Sequence, residues 1–270
     1  MSNFWTRTLT GLVLITGIVL LILIGGAGLM LLSVLIDVIG LTEFYSLNKV
    51  VTSKPQRVVA ISSSLIMLIC VFATRYGHNL RLLLLIIPAI FLLFTIALFQ
   101  KEIDPLPGLG VTLMGWCYIT LPLGLLICLA YLPLPGKYHA DILLGYFMML
   151  WAADSGAYVT GKLVGRHPLF RRISPGKTWE GSIGGAVLAL AAAWLNSRWF
   201  GRLCADQWFE GALIIVITGT FGDLFKSLLK RTAQVKDTGN ILPGHGGILD
   251  RFDSLLGSAP YLFALLILSQ

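Results

Sequence analysis

Between Gly222 and Asp253 the chain concentrates side chains that could do chemistry. The stretch holds Gly222-Asp223, Lys226-Ser227, Lys230-Arg231, Lys236-Asp237 and Gly239. It closes with Pro243-Gly244-His245-Gly246-Gly247-Ile248-Leu249-Asp250-Arg251-Phe252-Asp253. On a helix Asp223, Ser227 and Lys230 fall at i, i+4 and i+7 and share a face, with Lys226 beside it. Asp250 and Asp253, three apart, also share a face. Carboxylates placed close together raise one another's pKa unless a cation lies between them. Hard ions such as Mg²⁺ take one or two carboxylates together with phosphate oxygens. Lys and Arg nearby suit phosphates, and glycines let backbone N–H groups approach an anion closely. Together they suggest a metal–phosphate site with Asp223, Asp250 and Asp253 as candidate ligands. For Asp223 a structural ion pair with Lys226 or Lys230 fits the spacing equally well. His245 reads as a general base, a phosphate donor or a loop stabiliser, and Lys236-Asp237 reads also as a surface pair.

Two earlier segments carry isolated charges. Ser174-Pro175-Gly176-Lys177-Thr178-Trp179-Glu180-Gly181 has the signature of a helix start, with Ser174 as N-cap and Pro175 in the first turn. With Lys177 that helix end would suit an anion. Gly-Lys-Thr does not complete a Walker A loop, because position 171 is Arg where that loop needs Gly. In Trp151-Ala-Ala-Asp154-Ser155-Gly156-Ala-Tyr158, Asp154 interrupts an apolar run. Such a charge faces either a cavity or a partner such as a basic group on a neighbouring helix. Gly156 and Gly161 are expected to allow close helix contact.

Membrane-spanning elements must position these groups. Of 270 residues 56% are hydrophobic and 12% charged, and mean hydropathy is +0.84. Soluble domains carry about a quarter charged residues, so a water-soluble globular enzyme is excluded, as is a disordered chain. Long unbroken apolar runs, such as residues 80–99, disfavour a β-barrel, which reads as short alternating segments. The fold class is all-α, a polytopic membrane bundle of about nine spans near 8–24, 28–46, 58–74, 81–99, 108–132, 140–161, 179–197, 208–229 and 250–269. Residues 1–139 read as a scaffold of about five spans and 140–270 as the catalytic region. Of 33 charged residues, twenty lie between Asp154 and Asp253.

With nine spans, fifteen of the 20 Lys and Arg fall on the side that holds the N-terminus and the two most basic loops. The bias places that side in the cytoplasm. The formal charge of +7 therefore reflects topology and not nucleic-acid binding. Cys70, Cys117, Cys128 and Cys204 show no CxxC spacing and read as small buried thiols.

The three segments together resemble the phosphatidate cytidylyltransferase (CDP-diacylglycerol synthase) family. Ser227, Lys230, Arg231, Lys236, Asp237, Gly239, Leu242, Pro243, His245, Gly246, Gly247, Asp250, Arg251 and Asp253 fill that family's signature without a gap. The Asp154 and Ser174–Gly181 segments look like the family's too, with Gly176 standing where many members have Lys. The resemblance covers roughly residues 150–255. It implies a membrane enzyme that condenses CTP with phosphatidic acid to CDP-diacylglycerol and pyrophosphate. It also implies Mg²⁺ dependence, a homodimer, and a bacterial inner membrane with the site facing the cytoplasm. In that setting Asp223 and Asp250 would hold Mg²⁺, with Asp253 or a second cation. Lys177, Lys226, Lys230, Arg231 and Lys236 would neutralise phosphates, His245 would orient one, and Ser227, Asp237, Gly246, Gly247 and Arg251 would line the substrates. Asp154 and Glu180 would give polar support.

Three rival readings stand beside this one. A CTP-dependent lipid kinase would release CDP instead of pyrophosphate. CDP-alcohol phosphotransferases need a pattern that the sequence breaks after Asp253. A secondary transporter would show an inverted repeat and midplane charges, whereas these charges gather at one interface.

Overall fold

A chain this apolar can satisfy its backbone within lipid by folding into helices, which pair their own N–H and C=O groups. The computed structural model describes residues 3–48, 54–77, 79–99, 105–133, 136–239, 241 and 246–269. It runs through α1 (Asn3–Ile24), α2 (Gly26–Leu47) and α3 (Lys54–Gly77). A 3-10 turn (Leu80–Leu85) leads into α4 (Ile86–Leu98). Next come α5 (Leu106–Gly115), a π turn (Trp116–Thr120), α6 (Leu121–Leu129) and α7 (Ala140–Val164). Strands β1 (Pro168–Phe170) and β2 (Ser174–Thr178) precede α8 (Trp179–Trp199), α9 (Ala205–Thr232) and α10 (Leu249–Leu268).

Each of the nine expected spans is helical in the structure. Among the described residues seven helical stretches are long and apolar enough to cross a membrane: Gly26–Leu47, Gln56–Gly77, Leu80–Leu98, Leu106–Leu129, Ala140–Val164, Ala205–Thr232 and Leu249–Leu268. The protein is thus a polytopic helical membrane protein. Thr8–Ile24 is a shorter apolar helix. The 21-residue α8 stands outside the seven; it is rich in Gly and Ala and ends in Asn196-Ser197-Arg198-Trp199.

One local expectation is corrected. Ser174-Pro175 does not start a helix. Residues Ser174–Thr178 form β2, antiparallel to β1, with Pro168 opposite Thr178 and Phe170 opposite Ser174. The two-stranded hairpin is all edge, so the N–H that Pro175 lacks is not missed there. The helix begins at Trp179, capped by the Thr178 hydroxyl, which accepts from the Gly181 N–H at 3.1 Å. Apart from this hairpin the described fold is helical.

The chain divides into two units. The first comprises Met1–Tyr138 with Val235–Arg251, and the second His139–Gln234 with Phe252–Gln270. In the first, the fully buried Asp37 of α2 accepts from Ser64 of α3 at 2.6 Å and from Thr120 of the π turn at 2.7 Å. The Trp116 indole N–H donates to the Ala60 carbonyl at 3.0 Å. Partnered polar groups of this kind fix helix register where apolar contact alone is unspecific. In the second unit α8 packs along α7 and α9. A methyl group on Gly156 would lie 2.6 Å from the Gly184 carbonyl oxygen, so α7 and α8 touch backbone to backbone there, as the sequence suggested. The buried Tyr146 hydroxyl lies 2.7 Å from Ser258 Oγ.

Candidate active site

In the second unit five of the singled-out charged residues converge. Asp223 and Lys226 stand one turn apart on α9, and the Lys226 ammonium meets Asp223 Oδ1 at 2.7 Å. The same ammonium bonds Oδ2 of Asp253 on α10. From β2, Lys177 reaches Asp223 Oδ2 at 2.5 Å and the Thr220 carbonyl at 3.4 Å. Asp253 Oδ1 accepts from its neighbour's amide, the Ser254 N–H, at 2.8 Å. The Ser254 hydroxyl donates to Asp154 Oδ1 at 3.3 Å. Lys226 and Asp253 are buried, while the Lys177 and Asp223 side chains are 27% and 23% exposed. The outer pair is therefore the part that an incoming phosphate could meet. Asp154, Lys177 and Asp223 line a cavity of about 290 Å³, together with Gly181, Gly185 and Gly219.

A glycine contact sets this geometry. A methyl group on Gly222 would lie 2.5 Å from the Asp253 carbonyl oxygen and 2.9 Å from the Gly257 Cα. One on Gly257 would lie 2.7 Å from the Gly222 Cα. The bare backbones let α9 approach α10, so Asp223, next to Gly222, stands beside Asp253, one turn before Gly257. Gly222→Val is expected to force the helices apart, at a cost of about 1–3 kcal/mol. Thermal unfolding in detergent should show the loss, and turnover should fall with it.

As formal charges, Asp154, Asp223 and Asp253 outnumber Lys177 and Lys226 by one, so the cluster has room for added positive charge. Its donors are hard carboxylate oxygens, two of them already shared by one cation, the Lys226 ammonium. Among the described residues no three of His, Cys, Asp and Glu converge as a metal-ligand group. The set suits an ion that takes one or two carboxylates and completes its shell with water and phosphate, as Mg²⁺ does.

The first unit holds the rest of the Gly-rich segment. Asp250 Oδ2 accepts from the Thr238 amide at 2.9 Å, from the Thr238 hydroxyl at 3.1 Å and from the Gly247 amide at 3.3 Å. Gly246 takes φ +80°, a backbone that side chains rarely adopt. The Ile248 and Leu249 amides donate to Glu43 Oε1 and Oε2 of α2, at 2.9 and 3.0 Å. The sequence points to an anion beside these glycines, and the structure places the protein's own carboxylate there. Residues 1–139 read from sequence as scaffold, so Glu43 was missed. Its signal was available, since an acidic side chain within an apolar span has a function by default.

The remaining expected residues are placed as follows. Ser227 and Lys230 lie half-buried on α9, and Arg231 is exposed with its Nε 3.5 Å from the Ile173 carbonyl. Lys236, Asp237 and Arg251 are exposed. Glu180 serves the hairpin, accepting from the Arg166 and His167 amides at 3.2 Å each and meeting His167 Nδ1 at 2.5 Å. His245 lies outside the described residues. Cys70 and Cys128 are buried as expected, whereas Cys117 and Cys204 are exposed; Cys204 stands at the N-cap of α9, outside the helix.

Comparison with known proteins adds a family match and three relatives. The model of the cytidylyltransferase family matches residues 5–269. The chain is 34% identical over 266 residues to a phosphatidate cytidylyltransferase of Staphylococcus haemolyticus, covering 97% of this chain and 98% of that one. It is 47% identical over 127 residues to a protein of the same name from Bacillus subtilis, about 45% of each chain. A third, from Haemophilus influenzae, is 43% identical over 130 residues, 46% of this chain and 45% of that one.

Proposed function

The chain belongs to the cytidylyltransferase family, and from that membership we propose that it condenses CTP with phosphatidic acid, giving CDP-diacylglycerol and pyrophosphate. It is a nucleotidyltransferase. A phosphatidate oxygen attacks the α-phosphorus of CTP, a new P–O bond forms, and the bond to the β-phosphate oxygen breaks as pyrophosphate leaves. Little covalent chemistry falls to the protein in such a transfer, so its work is positioning and charge neutralisation. The observation that carries the reading is the Lys177–Asp223–Lys226–Asp253 chain of charges, whose Lys177–Asp223 end lines the cavity.

Each residue has a task in this scheme. Lys177, the more exposed cation, swings from Asp223 to a phosphate. Lys226 holds Asp223 and Asp253 together. Those two carboxylates would hold Mg²⁺, which when bound offsets charge on the triphosphate. Phosphatidate is already ionised near pH 7, so no base is needed to activate it. The membrane is the bacterial inner membrane, and the basic loops face the cytoplasm, where CTP is dissolved; the positive-inside bias supports this.

The test is purified protein in detergent with labelled CTP, phosphatidic acid and Mg²⁺. CDP-diacylglycerol and one pyrophosphate per turnover are expected. Release of CDP with a phosphorylated lipid would overturn the reading in favour of a kinase, and liposome uptake without turnover would favour a transporter. The homodimer, supported by the resemblance alone, would appear as twice the protomer mass in light scattering.

A further inference from the structure

We infer that Glu43, on a helix the sequence marks only as scaffold, is a positioning residue for residues 238–239 and 246–250 of the Gly-rich segment. It fills that segment's anion cradle with a carboxylate of the protein itself. The inference rests on the proposed activity only for its kinetic readout.

Glu43 is 4% exposed, within a helix long and apolar enough to span a membrane. A buried carboxylate is costly unless its oxygens are satisfied. Here Oε1 accepts from the Ile248 amide, and Oε2 from the Leu249 amide and the Thr238 hydroxyl, at 2.9, 3.0 and 3.1 Å. Ile248 and Leu249 open α10, whose first amides have no partner within the helix. A residue about 200 positions away thus does the work of a local N-cap. The Thr238 hydroxyl lies 3.1 Å from both Glu43 Oε2 and Asp250 Oδ2. One hydroxyl proton bridges two acids, so the position of Asp250 is tied to that of Glu43.

The glycines corroborate this. A methyl group on Gly239 would lie 2.5 Å from Glu43 Oε1 and 2.8 Å from its Cδ, and one on Gly247 would lie 2.5 Å from Oε2. Neither glycine has a positive φ, so contacts exclude a side chain there: the carboxylate at Gly239, and the Thr238 hydroxyl together with the carboxylate at Gly247. The amides of 247, 248 and 249 are all committed, to Asp250 or to Glu43. This stretch of backbone therefore does not bind a nucleotide phosphate; it is held rigid by an internal one-carboxylate substitute.

The test compares wild type with Glu43→Gln, Glu43→Asp and Gly239→Ala, and combines Glu43→Ala with Gly239→Ala. Glu43→Gln places an N–H₂ against an amide donor. It is expected to lower kcat about 100-fold while KM for CTP changes by less than about threefold. Amide exchange should accelerate at Thr238, Gly247, Ile248 and Leu249 and remain unchanged in the second unit. Glu43→Asp should recover part of kcat. Gly239→Ala should slow the enzyme alone but have no further effect once residue 43 is Ala, a non-additivity that marks direct contact. Near-normal kcat in Glu43→Gln, additive effects of the pair, or exchange accelerated throughout the protein would overturn the inference. If wild type makes no CDP-diacylglycerol, the proposed function falls, and exchange at Ile248 and Leu249 in Glu43→Gln still decides the role of Glu43.

Discussion

Asp223→Asn is expected to give a folded, membrane-inserted protein that makes CDP-diacylglycerol about 10³-fold more slowly. The substitution keeps the shape and removes the charge. Folding survives because each cation keeps a partner. Lys226 retains Asp253, and Lys177, a quarter exposed, retains the Thr220 carbonyl and gains water. Function fails because Asp223 is gripped by both lysines. Without it Lys177 has no resting position beside the cavity, and one of the two candidate ligands for a divalent cation is lost. Labelled-CTP turnover and a thermal melt in detergent check both halves. Near-normal turnover would remove Asp223 from the active site.

Lys226→Met should cost more stability than any other single change in the cluster, about 3–5 kcal/mol. Lys226 is 7% exposed, and its ammonium bridges two carboxylates that stand side by side. Met has nearly the same length and no charge, so Asp223 and Asp253 would face each other with Lys177 as the nearest remaining cation. The penalty comes from the stranded charges more than from the lost attraction. Adding Asp253→Asn should therefore return part of the stability without returning activity. In a protein of this size the single change should lower Tm by more than about 6 °C. A Tm within a degree or two of wild type would mean that the bridge does not hold the helices.

Different parts of this picture were legible in the sequence to different degrees. Spans were readable because lipid imposes one solution on an apolar run of the right length, so the predicted 140–161 and 250–269 reappear as Ala140–Val164 and Leu249–Leu268. The charged residues of α9 and α10 were readable because ionised groups are rare in such helices. Their pairing was not. Spacing placed Asp223 near Lys226, but nothing local revealed that Gly222 meets Gly257, or that Asp253 is the carboxylate this contact delivers. The helix start at Ser174-Pro175 misled because the signature is shared by any chain turning into an extended edge. Glu43 stayed hidden for a different reason. Its partners lie about 200 residues away, and the glycines that report on it are explained locally just as well by an absent anion.

The return of Val235–Arg251 to the first unit has a consequence for taking the protein apart. Neither unit is a continuous piece of chain. A cut between Tyr138 and His139 looks natural in the sequence, since it falls just before α7. It would release a front fragment whose Glu43 carboxylate is sealed among helices with no amides to receive it. The back fragment would carry a Gly-rich strap with nothing to grip. Such halves should be degraded when made singly and should accumulate only when produced together, each acting as the other's folding partner.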